Sequence, residues 1–90
     1  MTKYSIITTK EFDTAFKKLD KSVQKQIKHW IDNHLVNTDD PKAFGKPLVG
    51  DSKGYWRYCI GDYRLITEIE GNKLIIVMIN IGHRKNIYIK

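Results

Sequence analysis

The sequence predicts an α+β domain: a first strand and a two-helix hairpin packed on one face of a mostly antiparallel sheet of four to five strands. Three observations predict it. A short β-rich run precedes two helical apolar stripes that almost touch in sequence. From Tyr55 onward, apolar and β-branched runs are separated by two-residue turns. Helices grouped in sequence before such a meander pack on one side of it. At 90 residues the chain is expected to be a single domain, residues 1–90.

Residues 3–8 (Lys-Tyr-Ser-Ile-Ile-Thr) read as the first strand, rich in β-branched and aromatic side chains. Thr8 and Glu11 then fit a capping box, with Thr8 as N-cap. Phe12, Ala15, Phe16 and Leu19 follow at helical spacing and form one apolar face, with Lys17 and Lys18 off it. Asp20 is expected to cap a second helix whose stripe is Val23, Ile27, Trp30, Ile31 and Leu35. So short a connection makes the two helices an antiparallel hairpin.

Residues 37–54 hold both prolines and several glycines and read as a basic loop carrying Lys42, Lys46 and Lys53. Asp40-Pro41 starts one helical turn, with proline at the first helical position. Tyr55–Ile60 and Tyr63–Ile69 read as strands about a Gly61-Asp62 turn. Gly71-Asn72 is a second two-residue turn, leading to a third strand over Lys73–Ile81. Residues 74–79 are apolar at every position, the pattern of a central strand covered on both faces. Lys85–Ile89 forms a short last strand at an edge.

Composition narrows the class. A hydrophobic fraction of 41% and a charged fraction of 29% describe a globular protein. No apolar run reaches the ~20 residues of a membrane span, and no secretion signal is visible, so no membrane partner is expected. Cys59 is the only cysteine, so no internal disulfide forms. These features place the protein in the cytoplasm. The net charge of +6 calls for an anionic partner, either nucleic acid or an acidic protein. No cofactor or metal is expected. The single cysteine and three scattered histidines lack ligand spacing, and no Gly-rich phosphate loop is present.

The tight turns assign faces. A two-residue turn at Gly61-Asp62 sets Ile60 opposite Tyr63 and Cys59 opposite Arg64. Arg57, Cys59 and Arg64 then share one face, and Trp56, Tyr58, Ile60, Tyr63 and Leu65 the other, against the helices. Two guanidiniums on one face repel and need a partner. Glu68 on the same face is one; a phosphate, whose oxygens match the guanidinium fork, is the other.

Five segments in order resemble the RelE branch of the RelE/ParE toxin superfamily. They are Phe44-Gly45-Lys46-Pro47-Leu48, Gly54-Tyr55-Trp56-Arg57-Tyr58, Ile60-Gly61-Asp62-Tyr63-Arg64-Leu65, Ile81-Gly82-His83-Arg84 and Ile87-Tyr88. The resemblance spans the whole chain. It implies a RelE-like fold and a type II toxin that cleaves mRNA in the ribosomal A site, a metal-free endoribonuclease that inhibits translation. It implies a RelB-like antitoxin as partner, contacts with mRNA on the ribosome and with 16S rRNA, and operator DNA binding by the toxin–antitoxin complex through the antitoxin. Arg57, Arg64, Arg84 and Tyr88 fall at the family's functional positions. Cys59 departs from the pattern, since it stands where the better-known ribonucleases carry Lys or Arg.

Cleavage by 2′-OH attack needs a base, an acid and a cluster of charge around the phosphorane. Arg57, Arg64 and Arg84 suit the charge-stabilising role, because a guanidinium is permanently charged and planar. Tyr88 is the candidate proton carrier, since neighbouring arginines favour its phenolate. His83 is the alternative, because an imidazole is a common general acid or base, although it alternates with Arg84 along the chain. Lys42, Lys46 and Lys53 are the candidate RNA-binding residues. His29 and His34 read as surface or helix-packing residues. A ParE-like toxin that inhibits DNA gyrase by binding, and a weakly active toxin-fold binding protein, are the competing functions.

Overall fold

In the computed structural model the described residues are 4–36, 38–48 and 54–86. The chain runs β1 (Ser5–Thr8), α1 (Lys10–Lys17), α2 (Lys21–Ile31), a π-helical turn (Asp32–Val36), a 3-10 turn (Pro41–Phe44), β2 (Lys46–Pro47), β3 (Tyr55–Ile60), β4 (Tyr63–Glu70) and β5 (Ile75–His83). The strands form one mixed sheet in the order β1-β5-β4-β3-β2, parallel only between β1 and β5. This is the expected α+β architecture.

The apolar stripes explain the packing. Phe12 on α1, Ile27 on α2 and Leu35 just beyond it are buried against Tyr58, Ile60, Leu65, Ile69, Ile76, Met78 and Ile81 of the sheet. Phe16 stacks on Phe12 with ring centroids 5.6 Å apart, and Trp30 meets Tyr58 edge-on at 5.5 Å. All of Trp56, Tyr58, Ile60, Tyr63 and Leu65 join this core, as the register predicts.

The start of α1 differs from expectation by one residue. The N-cap is Thr9, and Thr8 instead completes β1 opposite Met78. The Thr9 hydroxyl accepts from the Phe12 amide (3.1 Å) and donates to the Ile79 carbonyl (2.8 Å). One side chain thus caps the helix and ties it to β5, 70 residues away. Asp20 occupies the N-cap of α2, but its carboxylate makes no capping bond; its backbone carbonyl accepts from Gln24.

The β3–β4 hairpin has the expected register, Ile60 opposite Tyr63 and Cys59 opposite Arg64, with Gly61 at φ 59° in the turn. The next connection is longer than expected. Residues 71–74 all lie in the turn, Leu74 adopts φ 55°, and β5 starts at Ile75 opposite Glu70. Lys73 and Leu74 therefore leave the strand, and its far end extends to His83. β5 is central in the pairing, yet the helices cover only one of its faces. Ile75 and Val77 are half-buried on the open face, and Ile7 of neighbouring β1 is 47% exposed. Residues 84–86 form a turn, so Lys85 and Asn86 do not begin the last strand expected over Lys85–Ile89; the rest of that segment lies outside the described residues.

Pairing between β4 and β5 slips once. Ile66 lies opposite Asn80, whereas Thr67 lies opposite Met78, so Ile79 is the extra residue of a bulge. A bulge reverses the facing of everything beyond it. Ile76 and Met78 point to the helices before it, and Ile81 does so after it. His83, in phase with Ile81, is carried to the helix side with its cross-strand partner Tyr63.

Candidate nucleic-acid interface

The open face carries rows of paired residues. One row runs Lys46, Arg57, Ile66, Asn80, and the next Cys59, Arg64, Gly82. Lys46 lies directly across from Arg57, and Arg57 and Arg64 are diagonal neighbours, a spacing of roughly 7–8 Å in an antiparallel pair. Three cations therefore share this surface, as the turn register predicts for the two arginines.

Their bonding separates them from a structural salt-bridge cluster. Among the described residues the ion pairs are Lys73 with Glu70 (3.8 Å) and Arg84 with Asp62 (4.0 Å). Glu68, the acid available on the same face, pairs with neither Arg57 nor Arg64. The Nε of Arg57 is buried and finds no hydrogen-bond partner among the described residues. A buried donor in that state costs about 1–3 kcal/mol. Arg64 Nη1 donates to the carbonyls of Gly61 (3.2 Å) and Tyr63 (3.0 Å), which folds the guanidinium over the end of its own hairpin.

Arg84 reaches the same turn from β5. Its backbone N–H donates to the Asp62 carbonyl (2.8 Å), and its side chain forms the exposed pair with Asp62. Arg64 and Arg84 thus converge on the Gly61-Asp62 turn. An exposed pair contributes about 0–1 kcal/mol, so the Asp62 contact holds Arg84 only weakly and leaves it free to exchange partners.

Not every expected residue joins this surface. His83 sits behind the sheet, edge-on to Tyr63 with ring centroids 5.5 Å apart, because of the bulge. Lys42 lies 5.6 Å from the centroid of Trp56, a residue of the helix-facing set, so it is not in line with Lys46. Lys53 and Tyr88 lie outside the described residues. Cys59 is exposed, beside Arg64 on the open face.

A buried tyrosine fixes the position of Lys46. Tyr58 is fully buried, and its hydroxyl donates to the carbonyl of Pro41 (2.7 Å), the first residue of the 3-10 turn. Burial pushes the phenol's pKa well above its usual 10, against the lowering effect of a bond to Thr67. The phenol therefore stays protonated and keeps donating. Gly45 lies flat on this ring: a Cβ there would be 2.7 Å from Tyr58 Cε2 and 2.9 Å from the Arg57 carbonyl. His34 stacks on Trp30 at 4.5 Å and meets Phe44 edge-on at 4.9 Å, closing the same anchor. His34 is thus a packing residue, and His29, bonded to Asn33, a surface one.

Comparison with known proteins adds the lineage. Residues 6–88 match the family model described as ParE toxin of type II toxin–antitoxin system, parDE. The chain belongs to that ParE toxin family. Similar solved structures carry the RelE side of the superfamily. The structure of the RelBE2 toxin–antitoxin complex from Mycobacterium tuberculosis contains a chain with TM-score 0.82 and 23% identity, covering 96% of this chain and 97% of that one. The archaeal RelE–RelB complex from Pyrococcus horikoshii gives TM-score 0.75 at 23% identity, with 97% and 100% covered. The intact E. coli RelBE complex gives 0.71 at 17%, with 89% and 95% covered. None of the curated proteins compared with the chain matches it. At these identities the structural likeness establishes the RelE-like fold. This toxin is thus a member of the RelE/ParE superfamily, as the five sequence segments imply.

Within this ParE-family toxin, no group of three or more His, Cys, Asp or Glu that could hold a metal is found among the described residues. No described helix is long and apolar enough to cross a membrane. The sequence reading missed one feature, a cleft on the helix side lined by His83, Tyr63 and residues of α1. Nothing local signals it, because it depends on the bulge at Ile79.

Proposed function

We propose that this toxin is a metal-free endoribonuclease that cleaves mRNA in the ribosomal A site and so inhibits translation. The observation that carries the reading is Arg57. Its Nε is a buried donor with no partner among the described residues, on a face it shares with Lys46 and Arg64. A phosphate that draws the guanidinium outward would supply the acceptor this buried atom lacks. In the reaction the 2′-oxygen attacks phosphorus and the bond to the 5′-oxygen breaks, leaving a cyclic phosphate and a 5′-hydroxyl. Arg57 and Arg64 hold the equatorial oxygens as charge accumulates, and Arg84 joins them by exchanging Asp62 for phosphate. Tyr88 is the proposed proton carrier. His83 is assigned no proton transfer, because it lies behind the sheet.

In this reading the toxin acts in the cytoplasm and contacts 16S rRNA. A RelB-like antitoxin neutralises it, and the complex binds operator DNA through the antitoxin. The test is induction of the toxin followed by primer-extension mapping of cellular messages. Cuts within translated codons are expected from the wild type. Arg64→Ala and Arg57→Ala should each lower cleavage by about 10²-fold or more while the protein stays folded. Full toxicity in both variants would refute the site. A second reading, inhibition of DNA gyrase by binding, follows from the resemblance to ParE-type toxins, whose family model the chain matches. Loss of supercoiling in a gyrase assay, with messages intact, would establish that one instead.

A further inference from the structure

The helix-side cleft has a volume of about 690 Å³, within the ~300–1,000 Å³ of small-ligand sites. Its floor is apolar and aromatic: Tyr63 and His83 stand edge-to-face at 5.5 Å, and Ala15, Leu19 and Ile81 line it with them. Its rim is polar, with Lys10 and Lys18 outnumbering Glu11. An aromatic floor beneath lysines suits a nucleotide, whose base stacks on a ring while its phosphate meets ammonium groups.

Position supports this occupant. Gly82 lines the cleft and is the cross-strand partner of Arg64, so the cleft and the arginine face are two sides of one sheet end. Arg84 follows His83 directly and pairs with Asp62 of the turn where Arg64 also sits, while Asn86, two residues on, lines the cleft. A strand of RNA held at Arg64 and Arg84 can round the sheet end and deliver its next base to the cleft. We infer that this cleft is a second RNA subsite, which stacks the base of a nucleotide flanking the cleaved bond on one of the two perpendicular rings, Tyr63 or His83, against the edge of the other, and holds its phosphate with Lys10 and Lys18. The inference deepens the nuclease reading and rests on it for the identity of the strand. Glu11, as an acceptor at the rim, favours a base carrying an exocyclic amino group over uracil.

The experiment is an NMR titration of the full chain with AMP and, separately, UMP, following backbone amides. AMP should give saturable shifts at Ala15, Leu19, Tyr63 and Gly82, with UMP weaker. Lys18→Glu should weaken AMP binding about tenfold. Thr14→Trp, an exposed α1 position at the cleft, should block it sterically. Lys73→Ala, beyond the opposite end of β5 from the cleft, should leave it intact. Shifts confined to Cys59 and Arg64, or unchanged in both cleft variants, would overturn the subsite while leaving the nuclease reading standing. Cleft shifts from a protein that cuts no message would sink the nuclease reading and keep the subsite. Dispersed spectra in both variants without AMP, with shifts limited to amides near the substitution, confirm that the fold is retained.

Discussion

Replacing Tyr58 by phenylalanine removes one oxygen from the centre of the fold. The ring contact with Trp30 survives, since a phenyl group fills the same space. The loss is the 2.7 Å bond to Pro41, whose carbonyl is left buried without its donor. An orphaned buried acceptor costs about 1–3 kcal/mol. For a domain of this size each kcal/mol moves Tm by about 4–8 °C, so the variant should melt at least about 4 °C lower. The deficit should also depend on pH with a definite sign. Burial raises the folded-state pKa of Tyr58 above its usual 10. Its stabilising contribution is therefore complete below pH 10 and is lost as pH climbs toward the folded value, because the unfolded chain then gains by ionising. Thermal melts of wild type and Tyr58→Phe, read by circular dichroism from pH 7 to 11, test both parts. The gap between them should hold to about pH 10 and narrow above it, by at most about 1.4 kcal/mol per pH unit. Equal Tm values at pH 7, or a gap that widens above pH 10, would refute the anchoring role.

Other expected outcomes follow from the same contacts. Gly45→Ala drives a Cβ against the Tyr58 ring and the Arg57 carbonyl, so urea unfolding should show a loss of about 1–3 kcal/mol. Thr9→Ala removes both the α1 cap and the bond to Ile79; the loss should be about 1–2 kcal/mol, and the Thr8→Ala control close to zero for capping. Cys59→Lys places a cation opposite Arg64 on the open face. RNA binding by fluorescence anisotropy should tighten, and the slope of log K against log salt should steepen by about 1.

Where the chain's own local rules decide geometry, the sequence was readable. The Gly61-Asp62 turn permits one register, and that register alone puts Arg57 and Arg64 together and Tyr58 in the core. Two failures share a cause. Thr8 and Thr9 are equivalent cap candidates locally, and what selects Thr9 is a carbonyl on β5. His83 and Arg84 alternate along any strand, and what sends His83 to the helix side is a bulge with no sequence mark. The β5 run looks doubly covered because every residue from 74 to 79 is apolar. Composition cannot reveal that the second face of Ile75 and Val77 stays open. The four-residue turn at 71–74 was hidden for a different reason: Leu74 adopts positive φ, a conformation its side chain disfavours.

The parallel pairing of β1 with β5 sets an order of events during synthesis. Ser5–Thr8 emerge from the ribosome about 70 residues ahead of their hydrogen-bonding partners Ile75–Met78. Closing a segment of that length costs about 4 kcal/mol of chain entropy before any contact rewards it. The hairpins formed by β3, β4 and β5 need no such closure and can assemble first. The first of the five strands to be made is thus the last to be stitched in, and a nascent toxin stopped before residue 75 holds an unpaired edge and no finished sheet.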